Sequence, residues 1–283
     1  MSDTITLPAP AKINLWLRIL RRREDGFHDI DTRLLPLGLA DELSISRLEA
    51  PAGHLRFTCS DPSVPDNDSN LVMKALGALQ DVTGPLPELQ VHLKKHIPHG
   101  AGLGGGSSDA AAALRGVDEF LGLNLGLATL SQLAASIGSD VPFFLHGGAA
   151  DCRGRGEVVE PVRSGALRLP ILLIKLPFPV STPWAYGQWH DSAEIPGIRY
   201  DAQPLACGRL VNDLERPVFA KHLVLADLKM WLLDRPEVTA ALMSGSGSTV
   251  FAILRDELPV TALVKGLREE YDPDLWWWQG CTG

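Results

Sequence analysis

Residues 97–109 read IPHGAGLGGGSSD: a proline, a cluster of glycines, two serines and an aspartate, with a run of alanines directly after. Glycine lets a backbone come close to a polyphosphate. A helix that begins at such a loop aims unpaired N–H groups and a partial positive charge at whatever sits there. Serine hydroxyls at that end can bond phosphate oxygens or a Mg²⁺ ion. The stretch carries the chemistry for holding phosphate.

Two common glycine fingerprints match the loop in spacing and fail in context. Gly100, Gly102 and Gly105 satisfy the G-x-G-x-x-G spacing of dinucleotide-binding folds, but the preceding strand alternates instead of being continuously apolar and a proline interrupts it. No strand ending in an acidic residue follows at the distance that fold requires. A Walker A loop needs Lys-Ser/Thr where Gly106-Ser107 stands, so its cradle would lack its charge. A flexible linker would not run straight into an alanine-rich helix start.

Two further segments, PAPAKINLWLRI (8–19) and LMSGSGSTVFAIL (242–254), stand in order around PHGAGLGGGSSDAAAAL. Together the three resemble the motifs of the galactokinase, homoserine kinase, mevalonate kinase and phosphomevalonate kinase (GHMP) superfamily. EDGFHDIDT, GSDVPFFLHGG and NDLE narrow the resemblance to members that phosphorylate the 2-hydroxyl of a cytidine diphosphate-linked methylerythritol, in the non-mevalonate route to isoprenoid precursors. It runs from residue 8 to about residue 254.

The resemblance implies an α+β, two-domain GHMP kinase fold. Residues 1–161 would form a domain like domain 2 of ribosomal protein S5, with the phosphate loop at 98–109, and residues 162–283 a ferredoxin-like domain. It implies ATP and Mg²⁺ as cofactors. Asp140 matches the catalytic aspartate and Lys12 the catalytic lysine, a cation that would keep the carboxylate ionised. Pro98, Gly100, Gly102, Leu103, Gly104, Gly105, Gly106, Ser107 and Ser108 fall on the ATP-binding loop. Asn14, Phe27, His28, Tyr186, Gly245 and Ser246 fall on substrate-binding positions. Phe27 stands where the family usually has tyrosine; stacking on a base survives that change, but a phenol oxygen is lost. Homoserine- and mevalonate-type kinases and the related decarboxylase are the nearest alternatives, and DGFH argues against them. An NAD-dependent oxidoreductase and a non-catalytic nucleotide-binding module are the rivals outside the superfamily.

Other tempting residues read as structural. Asn212 and Glu215 have the N-cap and N3 spacing of a capping box. His96 and His99 flank the loop without a carboxylate or cysteine to complete a metal site, so no protein metal ligand is assigned. Trp276–Trp278 read as packing at a strand end.

These residues need elements to hold them. Ile13, Leu15, Leu17 and Ile19 alternate with Lys12, Asn14, Trp16 and Arg18, which predicts a half-buried strand with Lys12 on its polar side. A turn follows at Asp25-Gly26, then two strands in 30–39 and 41–49. Asn70 is the expected N-cap of a helix over 71–82, and 88–97 is the strand leading into the glycine loop. A helix with serine or aspartate at its start follows, then a short helix at 129–138. The Gly/Arg-rich 152–166 reads as the passage between halves. Beyond it come a buried strand near 167–178, helices near 182–190, 213–221 and 223–234, a strand at 248–257, a helix at 258–271 and a last strand at 274–280.

Bulk properties frame the rest. At 283 residues, 45% hydrophobic and 21% charged, the chain is an ordinary globular protein. A net charge of −8 argues against nucleic-acid or membrane-surface partners, which need a cationic field. No secretory signal or membrane span is visible. The four cysteines are scattered and suit reduced thiols, so a cytoplasmic enzyme with a small-molecule partner is expected, and a homodimer is left open.

Overall fold

The computed structural model describes residues 3–48, 55–162, 168–257 and 259–283. The chain opens on a long antiparallel hairpin of β1 (Thr4–Arg22) and β2 (His28–Arg47). Gly26, with φ 85°, turns the chain between them, and Asp25 Oδ1 accepts the Phe27 N–H. Next come β3 (Leu55–Cys59), α1 (Leu71–Thr83) and β4 (Leu89–Lys94), with β3 and β4 parallel on either side of the helix. Asn70 caps α1 as expected, its side chain accepting from the Val72 N–H at 2.8 Å. The glycine loop leads into α2 (Gly105–Leu121), followed by α3 (Gly126–Ile137), α4 (Val141–Leu145), and the hairpin β5 (Ala150–Arg153) and β6 (Val158–Pro161).

The second half contains β7 (Pro170–Lys175), α5 (Thr182–Gln188), β8 (Gln203–Leu205), β9 (Gly208–Asn212), α6 (Glu215–Lys221) and α7 (Leu223–Leu233). It ends with β10 (Val238–Met243), β11 (Thr249–Leu254), α8 (Thr261–Glu270) and β12 (Trp276–Cys281). Among the described residues the first sheet runs β3-β4-β2-β1-β9-β8, with β5 attached to β2 and β6 to β5, and the second runs β10-β11-β7-β12. Strand β9, from the C-terminal half, thus joins β1 directly.

Three expectations are corrected here. Residues 28–47 form one strand, not two. Pro36, which has no N–H to give, sits between the stretches of β2 that pair outward, Thr32–Leu34 with β5 and Glu42–Arg47 with β4, so it breaks no ladder there. The tract at 152–166 is not simply a passage. Residues up to Pro161 build the β5–β6 hairpin, turned by Gly154 and Gly156 at positive φ, while 163–167 lie outside the described residues. Finally, α2 starts at Gly105, before the serines, with Gly104 at the N-cap position and no side-chain cap.

The cores explain the arrangement. Alanines 110–113 let α2 lie close on β1 and β2, and at Gly116 a Cβ would come within 2.6 Å of Ile45 and 2.8 Å of Leu7. A second core lies between β7, β10, β11 and helices α6–α8. A third joins the two sheets, with Ile13, Leu15, Leu35 and Leu37 packing with Ile171, Leu173, Leu242 and Phe251. This inter-sheet core brings the C-terminal loop 244–248 onto the glycine loop. Trp278 packs into the same core, as expected of a strand-end tryptophan.

Candidate active site

Because α2 has no side-chain cap, its first-turn N–H groups are left for another acceptor. The loop before it is glycine by necessity at two places. Gly102 has φ 74°, and a Cβ there would sit 2.2 Å from the Ser244 carbonyl oxygen. Gly104 has φ 72°, and a Cβ would meet Lys12 Cγ and Phe144 Cζ at 2.9 Å each. At Gly106, by contrast, the nearest atom would be 3.8 Å away, so this face of the helix start is open.

The loop covers the supposedly polar side of β1. The Lys12 N–H donates to Leu103 O at 2.9 Å, and Lys12 and Asn14 are each only 3% exposed. The strand expected to be half-buried is thus buried on both faces where it matters. Lys12 Nζ donates to Asn14 Oδ1 (2.8 Å) and to Gly102 O (3.0 Å), and stands 3.7 Å from Asp140 Oδ2. Asn14 is itself fixed, donating to Thr32 Oγ1 at 2.9 Å. Burial pushes the Lys12 ammonium below the usual lysine range, and the Asp140 charge opposes that. Asp140 precedes α4 without capping it, so its carboxylate stays available to the cavity.

That cavity, about 880 Å³, collects nearly all the residues singled out from the sequence. Lys12, Asn14 and Asp140 line it, and so do Pro98, Gly100, Gly102, Leu103, Gly104, Gly105, Gly106 and Ser107. Phe27, His28, Tyr186, Gly245 and Ser246 are lining residues too. Ser108 is the exception: it is 1% exposed, does not line the cavity, and its Oγ has no hydrogen-bond partner. His28 and Tyr186 lie with ring centroids 5.5 Å apart, and Phe27 is 49% exposed. Burial lowers the His28 imidazole below its usual range, with the charge of Arg22 adding to the effect, and burial raises the Tyr186 phenol.

The C-terminal loop closes the site from the other side. Ser244 Oγ donates to Gly102 O at 3.0 Å, and Ser246 Oγ pairs with Thr182 Oγ1 at 2.7 Å. A Cβ on Gly245 would come within 3.2 Å of Lys12 Nζ. NDLE supports this loop, but not as a capping box. Asn212 Nδ2 donates to Met243 O (2.8 Å) and Gly245 O (2.7 Å), and its Oδ1 accepts the Leu214 N–H. Glu215 accepts from the Met243 N–H at 2.9 Å and pairs with buried Lys229 at 2.6 Å. The spacing fits a cap, yet α6 begins only at Glu215, so the two side chains point to β10 and its loop instead.

Two cavity residues are not among those singled out from the sequence. Lys95 reaches Asp109 Oδ2 at 2.8 Å and also pairs with Asp41, beneath the start of α2. The parity of Leu89, Val91 and Leu93, all buried, extends to residue 95 and is a usable signal. Arg155, at the tip of the β5–β6 turn, places its guanidinium 4.7 Å from the Phe27 ring centroid. Nothing in the sequence marks it out. His99 lines the cavity and His96 contacts Glu42 at 3.4 Å, and among the described residues no group of three or more His, Cys, Asp or Glu could hold a metal ion.

A glycine-rich loop opening an uncapped helix, a buried lysine beside an aspartate, and a second small-residue loop closing over both define a site of the GHMP kinase class. Residues 70–148 match the N-terminal domain of GHMP kinases and residues 203–273 their C-terminal domain. A 4-diphosphocytidyl-2-C-methyl-D-erythritol kinase of Methylacidiphilum infernorum is 40% identical over 277 residues, covering 97% of this chain and 96% of the relative. One from Nitratidesulfovibrio vulgaris is 42% identical, covering 90% and 92%. A solved 4-(cytidine 5'-diphospho)-2C-methyl-D-erythritol kinase superposes with a TM-score of 0.78 at 31% identity, covering 99% of both chains. Homoserine kinase from Cytophaga hutchinsonii (TM-score 0.66, 16% identity, 100% of this chain and 95% of that one) shares the fold. The chain belongs to the 4-diphosphocytidyl-2-C-methyl-D-erythritol kinase family of GHMP kinases.

Proposed function

We propose that the protein transfers the γ-phosphoryl group of ATP to the 2-hydroxyl of 4-diphosphocytidyl-2-C-methyl-D-erythritol. The observation that carries this reading is one cavity joining the open start of α2, the Lys12–Asp140 pair and the Phe27, His28 and Tyr186 rings. The helix start and residues 100–107 hold the triphosphate through backbone N–H groups. The aromatic end holds the cytosine, by stacking and by the neutral His28 imidazole. Between them Asp140 accepts the proton of the acceptor hydroxyl, and Lys12 keeps that carboxylate ionised and favours the nascent alkoxide. Because phosphoryl transfer runs through a loose transition state, the fixing of Lys12 by Asn14 and Gly102 O contributes through position as well as charge.

The residues fit Mg²⁺ only as an ion that arrives with the nucleotide. Among the described residues no carboxylate, histidine or cysteine cluster could cage it, and Ser107 is the cavity hydroxyl nearest in sequence to the unpaired Ser108 Oγ. When bound, Mg²⁺ would neutralise phosphate charge. The same reading divides the chain at residues 161 and 162, between the first sheet's β6 and the second sheet's β7. It also places the enzyme in the cytoplasm, supported by four free cysteines; no helix among the described residues is long and apolar enough to cross a membrane. The test is ADP formation from Mg·ATP with the cytidyl substrate, mevalonate and homoserine in parallel. ADP with the cytidyl compound alone is expected, and ADP with either competitor and none with the cytidyl compound would sink the proposal.

A further inference from the structure

A substrate with a base at one end of the cavity and an acceptor hydroxyl at the other must carry its diphosphate across the ground between them. That linker bears negative charge, and the cavity lining already holds Asp25, Asp109 and Asp140. Some cation has to meet it. Lys12 is buried and engaged with Asn14, Gly102 and Asp140, and Lys95 is held by Asp41 and Asp109 under the glycine loop. Arg22 and Arg155 remain as cationic lining residues.

Arg155 is the one built into position. Its backbone is fixed on both sides: Gly154 O accepts the Ile30 N–H at 2.8 Å, and the Gly156 N–H donates to Arg153 O at 3.0 Å. Its own N–H donates to Glu157 Oε2 at 2.6 Å, which leaves that carboxylate serving the turn, and the guanidinium's ion-pair contact with Glu157 is a long 4.0 Å. The guanidinium lies over Phe27 at the base end. The next residue, Gly156, lies against the acceptor end, where a Cβ would stand 3.5 Å from Asp140 Oδ1. The side chain therefore bridges the two ends of the cavity. Stacking on an aromatic face holds a guanidinium flat, and one Nη reaches Ala135 O at 3.5 Å, the outer limit of a hydrogen bond, so most of the N–H fork is left for phosphate oxygens.

Resting on the function proposed above, we propose that Arg155 is the substrate's diphosphate-binding residue, with Phe27 as its platform on one face and as the base's partner on the other. A charge-assisted contact of this kind acts on affinity and not on the nucleophile. The test is calorimetric binding of cytidine and of cytidine 5'-diphosphate to the wild type, Arg155→Met and Arg155→Lys, together with KM for the full substrate. The wild type should bind the diphosphate at least about tenfold more tightly than cytidine. Arg155→Met should lose that preference and raise KM, while its affinity for cytidine changes by less than about threefold. Arg155→Lys, which keeps the charge without the flat stack, should retain part of the preference. Unchanged ATP affinity and melting temperature show that the variants are folded. If Arg155→Met keeps the wild-type preference while the wild type phosphorylates the cytidyl substrate, Arg155 has no such role and the function stands. A wild type that forms no ADP with that substrate overturns both.

Discussion

Lys12 Nζ and Asp140 Oδ2 stand 3.7 Å apart, too far for a hydrogen bond, while the lysine spends its two short bonds on Asn14 Oδ1 and Gly102 O. The ammonium is thus anchored by neutral groups and offers Asp140 charge without occupying its lone pairs. Asp140, with its side chain 35% exposed, keeps an oxygen free for an incoming hydroxyl. An acid–base group needs that freedom, whereas a structural ion pair would be closed.

Asp140→Asn preserves shape and removes the proposed base, and Lys12→Met preserves length and removes the charge. Each should lower kcat by about 10²–10⁴-fold while the KM values for ATP and cytidyl substrate move much less. Steady-state kinetics check this. Near-normal turnover in both variants would remove them from the mechanism.

The buried ammonium also sets a pH response. Burial lowers the Lys12 pKa below the ordinary 10.5, with Asp140 pulling it back. As pH rises, the folded protein therefore loses this proton before the unfolded chain does. Between the lowered value and 10.5 the unfolded chain binds more protons, so this group's contribution to stability rises with pH while activity falls. The alkaline limb of a log kcat–pH profile should break below 10.5, and in residual Asp140→Asn activity it should break lower still. A wild-type plateau extending past 10.5 would contradict the role of the charged lysine.

Glycine is where the sequence spoke most clearly. Gly102 and Gly104 tolerate no Cβ, so the loop's geometry leaves a direct mark on residue type. Lys12 was harder: its period-2 companions Asn14, Trp16 and Arg18 predict a wet face, and only the loop and Phe144, distant in sequence, dry it. The Asn212–Glu215 spacing imitates a cap because a cap and a bridge to β10 use the same side chains. Arg155 was illegible because its role depends on a turn that folds back onto Phe27 from a tract rich in glycine and arginine. Chemistry carried by backbone shape could be read from the residues themselves; chemistry created by burial and by long-range packing was legible only where a family motif marks the residue, as at Lys12 and Asp140.

The two kinds of loop glycine should separate on substitution. Gly102→Ala forces a side chain into the Ser244 carbonyl at positive φ, and should destabilise the protein by at least about 2 kcal/mol. Gly106→Ala meets nothing closer than 3.8 Å and sits in the first turn of α2, where alanine favours the helix by up to about 1 kcal/mol. It should therefore fold at least as well while raising KM for ATP, because the methyl group stands on the face left open for phosphate. Urea unfolding and ATP kinetics on the same two proteins check this. A Gly106→Ala enzyme with unchanged KM for ATP would place the phosphates elsewhere.

Asn212 links stability to catalysis without lying against the reacting groups. Asn212→Ala leaves the Met243 and Gly245 carbonyls without their buried donor, and each unpaired group costs about 1–3 kcal/mol. Aspartate at this position keeps the acceptor for the Leu214 N–H but still lacks both donors and adds a buried charge, so Asn212→Asp should be the less stable of the two. Both should also lower kcat, since Gly245 packs against Lys12 and a loosened loop 244–248 releases its hold on Gly102. KM for the cytidyl substrate should rise less than kcat falls, because the Phe27 and His28 end is carried by the β1–β2 hairpin and only the Gly245 and Ser246 side of the site moves with this loop. Denaturant unfolding beside steady-state kinetics measures the two effects separately. A variant destabilised by the expected amount yet fully active at low temperature would confine Asn212 to folding and detach the C-terminal loop from the positioning of Lys12.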